Sequence, residues 1–291
     1  MPGWNLSRWV ILLTLLLAPA LVWAEFPASQ PYPGVRYWHE SRTEPAMSLY
    51  VVQIDLTNPK VSVRVSPAGP DPDGEGEWQT VLMPPSEIAQ REGFDICVNA
   101  SFFGALKTQD VEGAKSGFVP GIWSQAVGLA MTDGKLWSQK PKSNWPVLWV
   151  DRDGKAHLSP SAKLPETARQ AVQGNAFVIQ HGTVVEPEAK VMKDRHPRTV
   201  VGLDKDSKTL TILTVDGRRP GVSIGMTGSE LGAEMKRLGC DDALNLDGGG
   251  SSELVLRDPV SGELHVMNQP SDGRERAVAD VLGVQIRNRD K

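Results

Sequence analysis

Cysteine is nearly absent from this chain: Cys97 and Cys240 are the only two in 291 residues. That excludes a scaffold held by a dense disulfide framework. The pair itself leaves two readings open, one disulfide or two buried thiols, because each lies beside an apolar strand-like run, "DICVNA" and "GCDDALNL". Histidine is as sparse. Five are scattered along the chain, none at ligand spacing, which argues against a zinc hydrolase. The G-x-S-x-G elbow, H-E-x-x-H and the Walker loop are also missing, and no regular calcium loop surrounds Asp216 or Asp247. No metal and no cofactor is therefore expected. The chain shows no repeat, heptad pattern or low-complexity block. It also lacks an excess of positive charge: the formal net charge is −4, and contact with a phosphate backbone needs a basic surface, so nucleic acid is not an expected partner.

Only one long apolar run is present, "WVILLTLLLAPALVWA" behind Arg8. The single charge in front, Pro19 within and the small Ala24 at the end read as a secretory signal peptide over residues 1–24. Its removal takes Arg8 with it and moves the net charge from −4 to −5. No second run of spanning length follows, so the expectation is an exported domain, periplasmic or extracellular, with no stable membrane span after cleavage. Residues 25–44 open on the Pro-rich "EFPASQPYPG" and are expected to form a linker to one domain over residues 45–291.

The domain reads as α+β: a strand-rich single domain with a mixed or antiparallel sheet and a few packed helices. "SLYVVQIDL" and "KVSVRVS" alternate apolar and polar residues and predict strands. "VGLAMTDGKLW", "VLWVDRDGKAHL", "AFVIQHGTVV" and "TVVGLDKDSKTLTILTVD" each place a short turn between apolar runs and predict hairpins. Two helices are expected. "PSEIAQREG" has Ser86 as cap and Gly93 as stop, and "TGSELGAEMKRLG" has a Thr227/Glu230 capping box with Leu231, Met235 and Leu238 on one face.

The chemistry concentrates in short polar segments beside strands. "NLDGGGSS" puts Asp247, three glycines (Gly248, Gly249, Gly250) and Ser251/Ser252 directly after the apolar "DAL". It reads either as a flexible loop or as a nest of backbone N–H groups that cradles an anion. "RHPRTVVG" brings Arg195, His196 and Arg198 to a strand start, "VDGRRPG" brings Asp216, Arg218 and Arg219 to a strand end, and "NQPSDGRERAV" adds Asn268, Ser271, Asp272, Arg274 and Arg276. Each is either an ordinary turn with solvated charges or, since a guanidinium fork matches phosphate and carboxylate, part of an anion site. Asn99 in "ICVNASFFG" is either an Asx turn or a contact for sugar hydroxyls. His196 is a cap or an acid. Trp123, Trp137, Trp145 and Trp149 read as core and hairpin packing in preference to a sugar-stacking face.

"VNASFF", "HPRTVVG", "VDGRRPGVSIGMTGSEL", "DALNLDGGGSSELV" and "NQPSDGRERAVADVLGV" stand in the order and spacing of the phosphodiester glycosidase family, which this chain resembles over most of residues 45–287. The resemblance implies hydrolysis of a sugar-1-phosphodiester with release of free sugar, N-acetylglucosamine being one such sugar. It implies site residues at Asn99, Arg198, Asp216, Arg218, Asn245, Asp247, Gly248 to Gly250, Ser251, Ser252, Asp272 and Arg274. On that footing Arg198, Arg218 and Arg274 would hold the phosphate, while Asp247 or Asp272, with Asp216 nearby, would serve as base or nucleophile. Asn99, Asn245, Ser251 and Ser252 would orient sugar or phosphate oxygens. Two other readings stay open: a non-catalytic module that binds an anionic glycan during exopolysaccharide assembly, and a phosphodiesterase that cuts the P–O bond.

Overall fold

The strand Ala46–Asp55 is buried along both faces, and it shows how the molecule is layered. Tyr50, Val52 and Ile54 point into one apolar cluster; Met47, Leu49 and Val51 point into another. A strand with two apolar faces must lie inside a sandwich of layers. The expected alternation of apolar and polar residues is therefore replaced by alternation between two cores. A computed structural model describes residues 30–106, 118–138 and 141–287; the expected signal peptide lies outside these residues.

Among the described residues the chain is mostly β, with four sheets and three helices. The large sheet has seven strands in the order Val35–Thr43, Ala46–Asp55, Thr209–Val215, Arg198–Leu203, Asp242–Asn245, Ala176–Gln180 and Thr183–Val184. One five-stranded sheet is built on Val147–Asp151 and Ala168–Gln173, and the other on Leu254–Arg257, Ile96–Asn99, Val281–Ile286 and Val61–Val65. Every pairing between these strands is antiparallel. The main core lies between one face of the seven-stranded sheet and the two five-stranded sheets, where Val52, Ile212 and Leu244 meet Val98, Leu282 and Val172.

Helices cover the outer faces. α1 (Pro85–Glu92) lays Ile88 and Ala89 on the second five-stranded sheet. α2 (Lys190–Lys193) and α3 (Gly228–Arg237) bring Met192, Leu231 and Met235 onto the outer face of the large sheet. α3 forms the expected capping box between Thr227 and Glu230. α1 stops at Gly93, whose φ of 67° is the left-handed turn that favours glycine. Its start differs from expectation: Pro84 occupies the cap position, and Ser86 bonds the Glu275 carboxylate instead. All four expected hairpins form.

One expectation is corrected, and one open pair of readings is decided. The linker cannot reach residue 44, because Val35–Thr43 pairs along its whole length with Ala46–Asp55 and closes the large sheet. Cys97 and Cys240 are free buried thiols in different apolar clusters. No helix of the described residues is long and apolar enough to cross a membrane.

One core position carries a cost. Glu253, 1% exposed, leaves both carboxylate oxygens without a hydrogen-bond partner. Burial, followed by the like charge of Glu275, pushes its carboxyl far above the usual carboxylate range. The folded chain thus holds a proton here that the unfolded chain releases above pH about 4.3, so this group's contribution to stability falls as pH rises through neutrality. Glu253→Gln is expected to flatten the pH dependence of stability between about pH 5 and 8. At the upper end it should raise Tm by roughly 2–4 °C per kcal/mol recovered, read by thermal unfolding.

Candidate active site

Three strands deliver their ends to one place. Asn245 closes the strand Asp242–Asn245, Arg198 opens its antiparallel neighbour, and Asn99 closes a strand of the second five-stranded sheet. Between them the chain leaves the large sheet and crosses to the five-stranded one. Leu246 N–H bonds Thr199 O at 2.9 Å on the first sheet, and Asp247 N–H bonds Ala100 O at 3.1 Å on the other. Asn99 fastens the crossing. Its amide donates to Asp247 O at 2.6 Å, and its Oδ1 accepts from Thr199 Oγ1 at 2.6 Å and Glu253 N–H at 3.2 Å.

A cavity of about 200 Å³ opens over this crossing, lined by Asn245, Asp247 and Gly248 to Gly250, with His196, Arg198, Arg218 and Arg276 around them. The glycines do not form the expected nest. Gly248 N–H bonds its neighbour's carboxylate, Asp247 Oδ1, at 2.8 Å; Gly249 N–H bonds Pro197 O at 2.9 Å; and the Ser251 and Ser252 N–H groups close a 3-10 turn on Gly248 and Gly249. These four donors are already satisfied. What the glycines provide is room. A Cβ on Gly249 would sit 3.0 Å from Arg218 Nη2; one on Gly250 would sit 2.0 Å from Arg276 Nη2 and 2.4 Å from Asp272 Oδ1. Gly249 also has φ 63°, so a side chain there would be strained as well as crowded.

Asp247 is the carboxylate of the cavity. Burial pushes its pKa up to about 6; the Ser251 hydroxyl, the Gly248 N–H and the Arg276 charge act in the opposite direction. Asp280 is also held at about 6, by burial first and by Asp247 last, while its oxygens accept from Ser101 N at 2.8 Å and Ser101 Oγ at 2.7 Å. His196 is held below its ordinary value by burial and by the Arg198 and Arg218 charges, so it is neutral at physiological pH, and its buried Nδ1 has no partner. Asn245 Nδ2 is engaged by Asn175 Oδ1 and Leu246 O, whereas its buried Oδ1 accepts nothing. The Ser252 hydroxyl is likewise buried and unpartnered.

The arginines divide into two kinds. Arg198 is 3% exposed and its guanidinium is tied to Met226 O, Val191 O and Asp194 O, so it fixes α2 and the loop after it as a wall of the cavity. Burial, then the Arg218 charge, lowers its pKa to about 10. Arg218 and Arg276 are presented. Arg218 stands at the rim with no hydrogen bond or ion pair to a described residue. Arg276 is aimed by Asp272 (2.8 Å) and by the Phe118 ring (4.8 Å to the centroid).

These contacts place several of the expected site residues away from the cavity. Asn99, 0% exposed, has its amide taken up by the crossing and does not line the cavity. Asp216, 1% exposed, lies outside the cavity and accepts from Asn268 Nδ2 and Gln269 N–H, holding the loop 268–269. Asp272 orients Arg276. Arg274 is exposed and opens on a different cavity, so Arg276 is the arginine that this loop delivers. Arg276 was present in the "SDGRER" cluster, and its four-residue separation from Asp272 was the available signal. Asp280, Asn175 and Phe102 carried none. Trp145 backs Phe102 edge-to-face at 5.1 Å and Trp149 stacks on His157 at 4.1 Å, which places both in packing. The one group of three potential metal ligands among the described residues, His181, Asp241 and Asp242, sits at the far end of the strand that ends in Asn245.

Known proteins share this fold. The zebrafish N-acetylglucosamine-1-phosphodiester alpha-N-acetylglucosaminidase catalytic domain, solved in a form auto-inhibited by its pro-peptide, superimposes with a TM-score of 0.62 over 88% of this chain and 85% of that one at 21% identity. A hypothetical protein from Synechocystis matches with a TM-score of 0.58 over 87% of this chain and 62% of its own, at 14% identity. At these identities the likeness is one of fold. An uncharacterized protein derived from the SPbeta prophage of Bacillus subtilis, YomE, is 40% identical over 96 residues, 33% of this chain, which spans only 14% of that relative's length. The Phosphodiester glycosidase family profile matches residues 94–285, from the turn after α1 to the last strand, and the chain belongs to that family.

Proposed function

We propose that this protein hydrolyses the bond between an anomeric carbon and phosphate in a sugar-1-phosphodiester, and that it does so after export. The observation that carries the reading is the cavity itself: one carboxylate with a raised pKa faces two presented arginines across a floor kept open by glycine. Arg218 and Arg276 would hold the phosphate and stabilise the charge that grows on it as the C–O bond breaks. Water would add to the anomeric carbon and pass its proton to Asp247, directly or after a glycosyl–Asp247 intermediate, while the phosphate monoester leaves with the bonding electron pair. A phosphate monoester is a good leaving group, so the step makes little demand for a general acid. Asn245 Oδ1, a buried acceptor without a donor, suits a sugar hydroxyl or N–H. The apolar run behind Arg8 supports export.

The direct test is hydrolysis of sugar-1-phosphodiesters in heavy-oxygen water. Label in the free sugar is expected. Label in the phosphate would make the protein a phosphodiesterase, and binding without turnover would make it an anionic-glycan module.

Asp247→Asn should lower kcat by at least ~10³ while leaving the fold and phosphate affinity in place. In the unaltered protein kcat/KM should rise with pH up to about 6 and then level, because Asp247 must be ionised to act and burial delays its ionisation to that value. A flat profile from pH 4.5 to 7, or an active Asp247→Asn, would remove it from the mechanism.

Gly250→Ala tests the glycine floor. The atoms its methyl would meet are the ends of the Arg276 and Asp272 side chains, which can swing away, so the fold should survive while the arginine is displaced. A loss of roughly 10²–10³ in kcat/KM with little change in Tm is expected, the size of effect seen when one charge-stabilising donor is removed.

A further inference from the structure

Arg219 and Arg274 are left unused by the cavity over Asp247, and they meet each other in another one. A cavity of about 520 Å³ lies between Arg219 on one side and the loop 268–275 on the other, with Arg274, Ser271, Glu275 and Val266 in its lining. The two cavities share a ridge. Consecutive residues of "GRRP" go to opposite sides, Arg218 to the smaller cavity and Arg219 to the larger, and Arg218 is held at φ 59°, in the left-handed region. A non-glycine residue held there is strained by about 1 kcal/mol or more, which is the kind of strain found at ligand sites. The other strand of the ridge does the same: Arg276 goes to the smaller cavity and Arg274 to the larger.

We propose that this larger cavity is a second binding site, one that takes the anionic group of a neighbouring sugar unit, a carboxylate or a phosphate, in the same glycan. Neither arginine side chain has a hydrogen bond or ion pair with a described residue; Arg219 feels the Asp216 carboxylate only through space, so the donors of both guanidinium forks stay free for a ligand. The Ser271 hydroxyl in its lining has no hydrogen-bond partner either. Glu275 is the one carboxylate of the wall, and its Oε2 is turned onto Ser86, accepting from Ser86 Oγ at 2.7 Å and Ser86 N–H at 3.3 Å. Val266 and Pro270 supply apolar surface, so the site offers one side suited to a ring face and another suited to its charge. In a chain of net charge −4, two unpaired arginines in one concavity are a local exception that selects for an anion. The assignment of the ligand to a glycan rests on the function proposed above; the anion site itself does not.

The test is a titration of the full-length protein with inorganic phosphate and, separately, glucuronate, followed by arginine side-chain NMR signals. Two independent saturable phosphate sites are expected. Arg219→Gln/Arg274→Gln should weaken one of them at least about tenfold, the loss expected for charge-assisted hydrogen bonds, and leave the other intact; Arg276→Gln should do the converse. The single Arg274→Gln, at an exposed position, guards against a folding defect and should lower the same site in part. Phosphate and glucuronate should compete there if the group recognised is any small oxyanion; saturation by only one of them identifies the group as phosphate or carboxylate. With an anionic oligosaccharide diester as substrate the double variant should raise KM and leave kcat, while a monosaccharide diester is turned over as before. A single phosphate site that disappears with Arg276→Gln, or none, overturns the proposal. Failure to hydrolyse any diester would count against the function alone, because the titration is read without turnover.

Discussion

The buried amide of Asn99 is the contact on which the rest of this molecule turns. It belongs to one sheet, receives the Thr199 hydroxyl from the other, and grips the chain on both sides of the glycine turn, at Asp247 O and at Glu253 N–H. An interior crossing between two sheets exposes backbone groups that neither sheet's ladder satisfies, and each such group left bare costs about 1–3 kcal/mol. Asn99 can satisfy donors and acceptor at once because its amide carries both, which a carboxylate or a hydroxyl alone would not do with the same geometry. The carboxylate of Asp247 is fixed as a by-product: the carbonyl of that residue is held by Asn99, its N–H by Ala100, and its side chain by the next N–H in the chain.

With the backbone fixed in this way, the glycines take on a meaning different from flexibility. Four of the N–H groups over residues 248–252 are already bonded, two within the turn and two to Asp247 Oδ1 and Pro197 O, so little of the backbone is available to a ligand. The positive charge facing the cavity comes instead from arginines that lie where side chains of residues 249 and 250 would otherwise be. Burial then sets the electrostatics. A carboxylate so placed is held at about 6 although Arg276 is close, which says that the loss of water outweighs the attraction of a single partly solvated guanidinium. Arg198 shows the converse choice. It is the most buried of the cavity arginines and its donors are taken up by carbonyl oxygens, so it shapes the wall, and its charge adds to burial in holding His196 below its ordinary value.

The local grammar of the chain was readable wherever a local rule decides the outcome. The Thr227/Glu230 capping box, the Gly93 stop and the four hairpins depend on residues within a few positions of each other, and they form as the sequence implies. Val35–Thr43 was hidden because its pairing partner, not its own pattern, makes it a strand, and a proline-rich approach masked it. The site was readable as a set of segments and not as a set of roles. Asn99, Asp216 and Arg198 are the right residue types at strand ends, but whether such a side chain serves the ligand or the scaffold depends on what stands opposite it. Thr199, Asn268 and Met226 stand opposite, and no local pattern announces them. Arg274 and Arg276 differ by two positions, and in an extended strand they would share a face. Residues 274–276 belong to no strand, and the two arginines line different cavities.

That separation bears on how a single loop serves two purposes. Arg274 and Arg276 flank Glu275, which reaches back to Ser86 at the start of α1, and Ala277 and Val278 enter the core directly after. The loop is therefore anchored at Glu275 and again from Ala277, and each arginine is committed to its own side of the ridge. Arg218 and Arg219 likewise diverge, beside a residue held in the left-handed region. Two short segments, each rigid for reasons internal to the fold, thus distribute four guanidinium groups in opposite directions. A mobile loop would let all four collect around whichever anion arrived first; the rigid ridge makes the spacing between two anions, and not the charge of either, the quantity that the surface can measure.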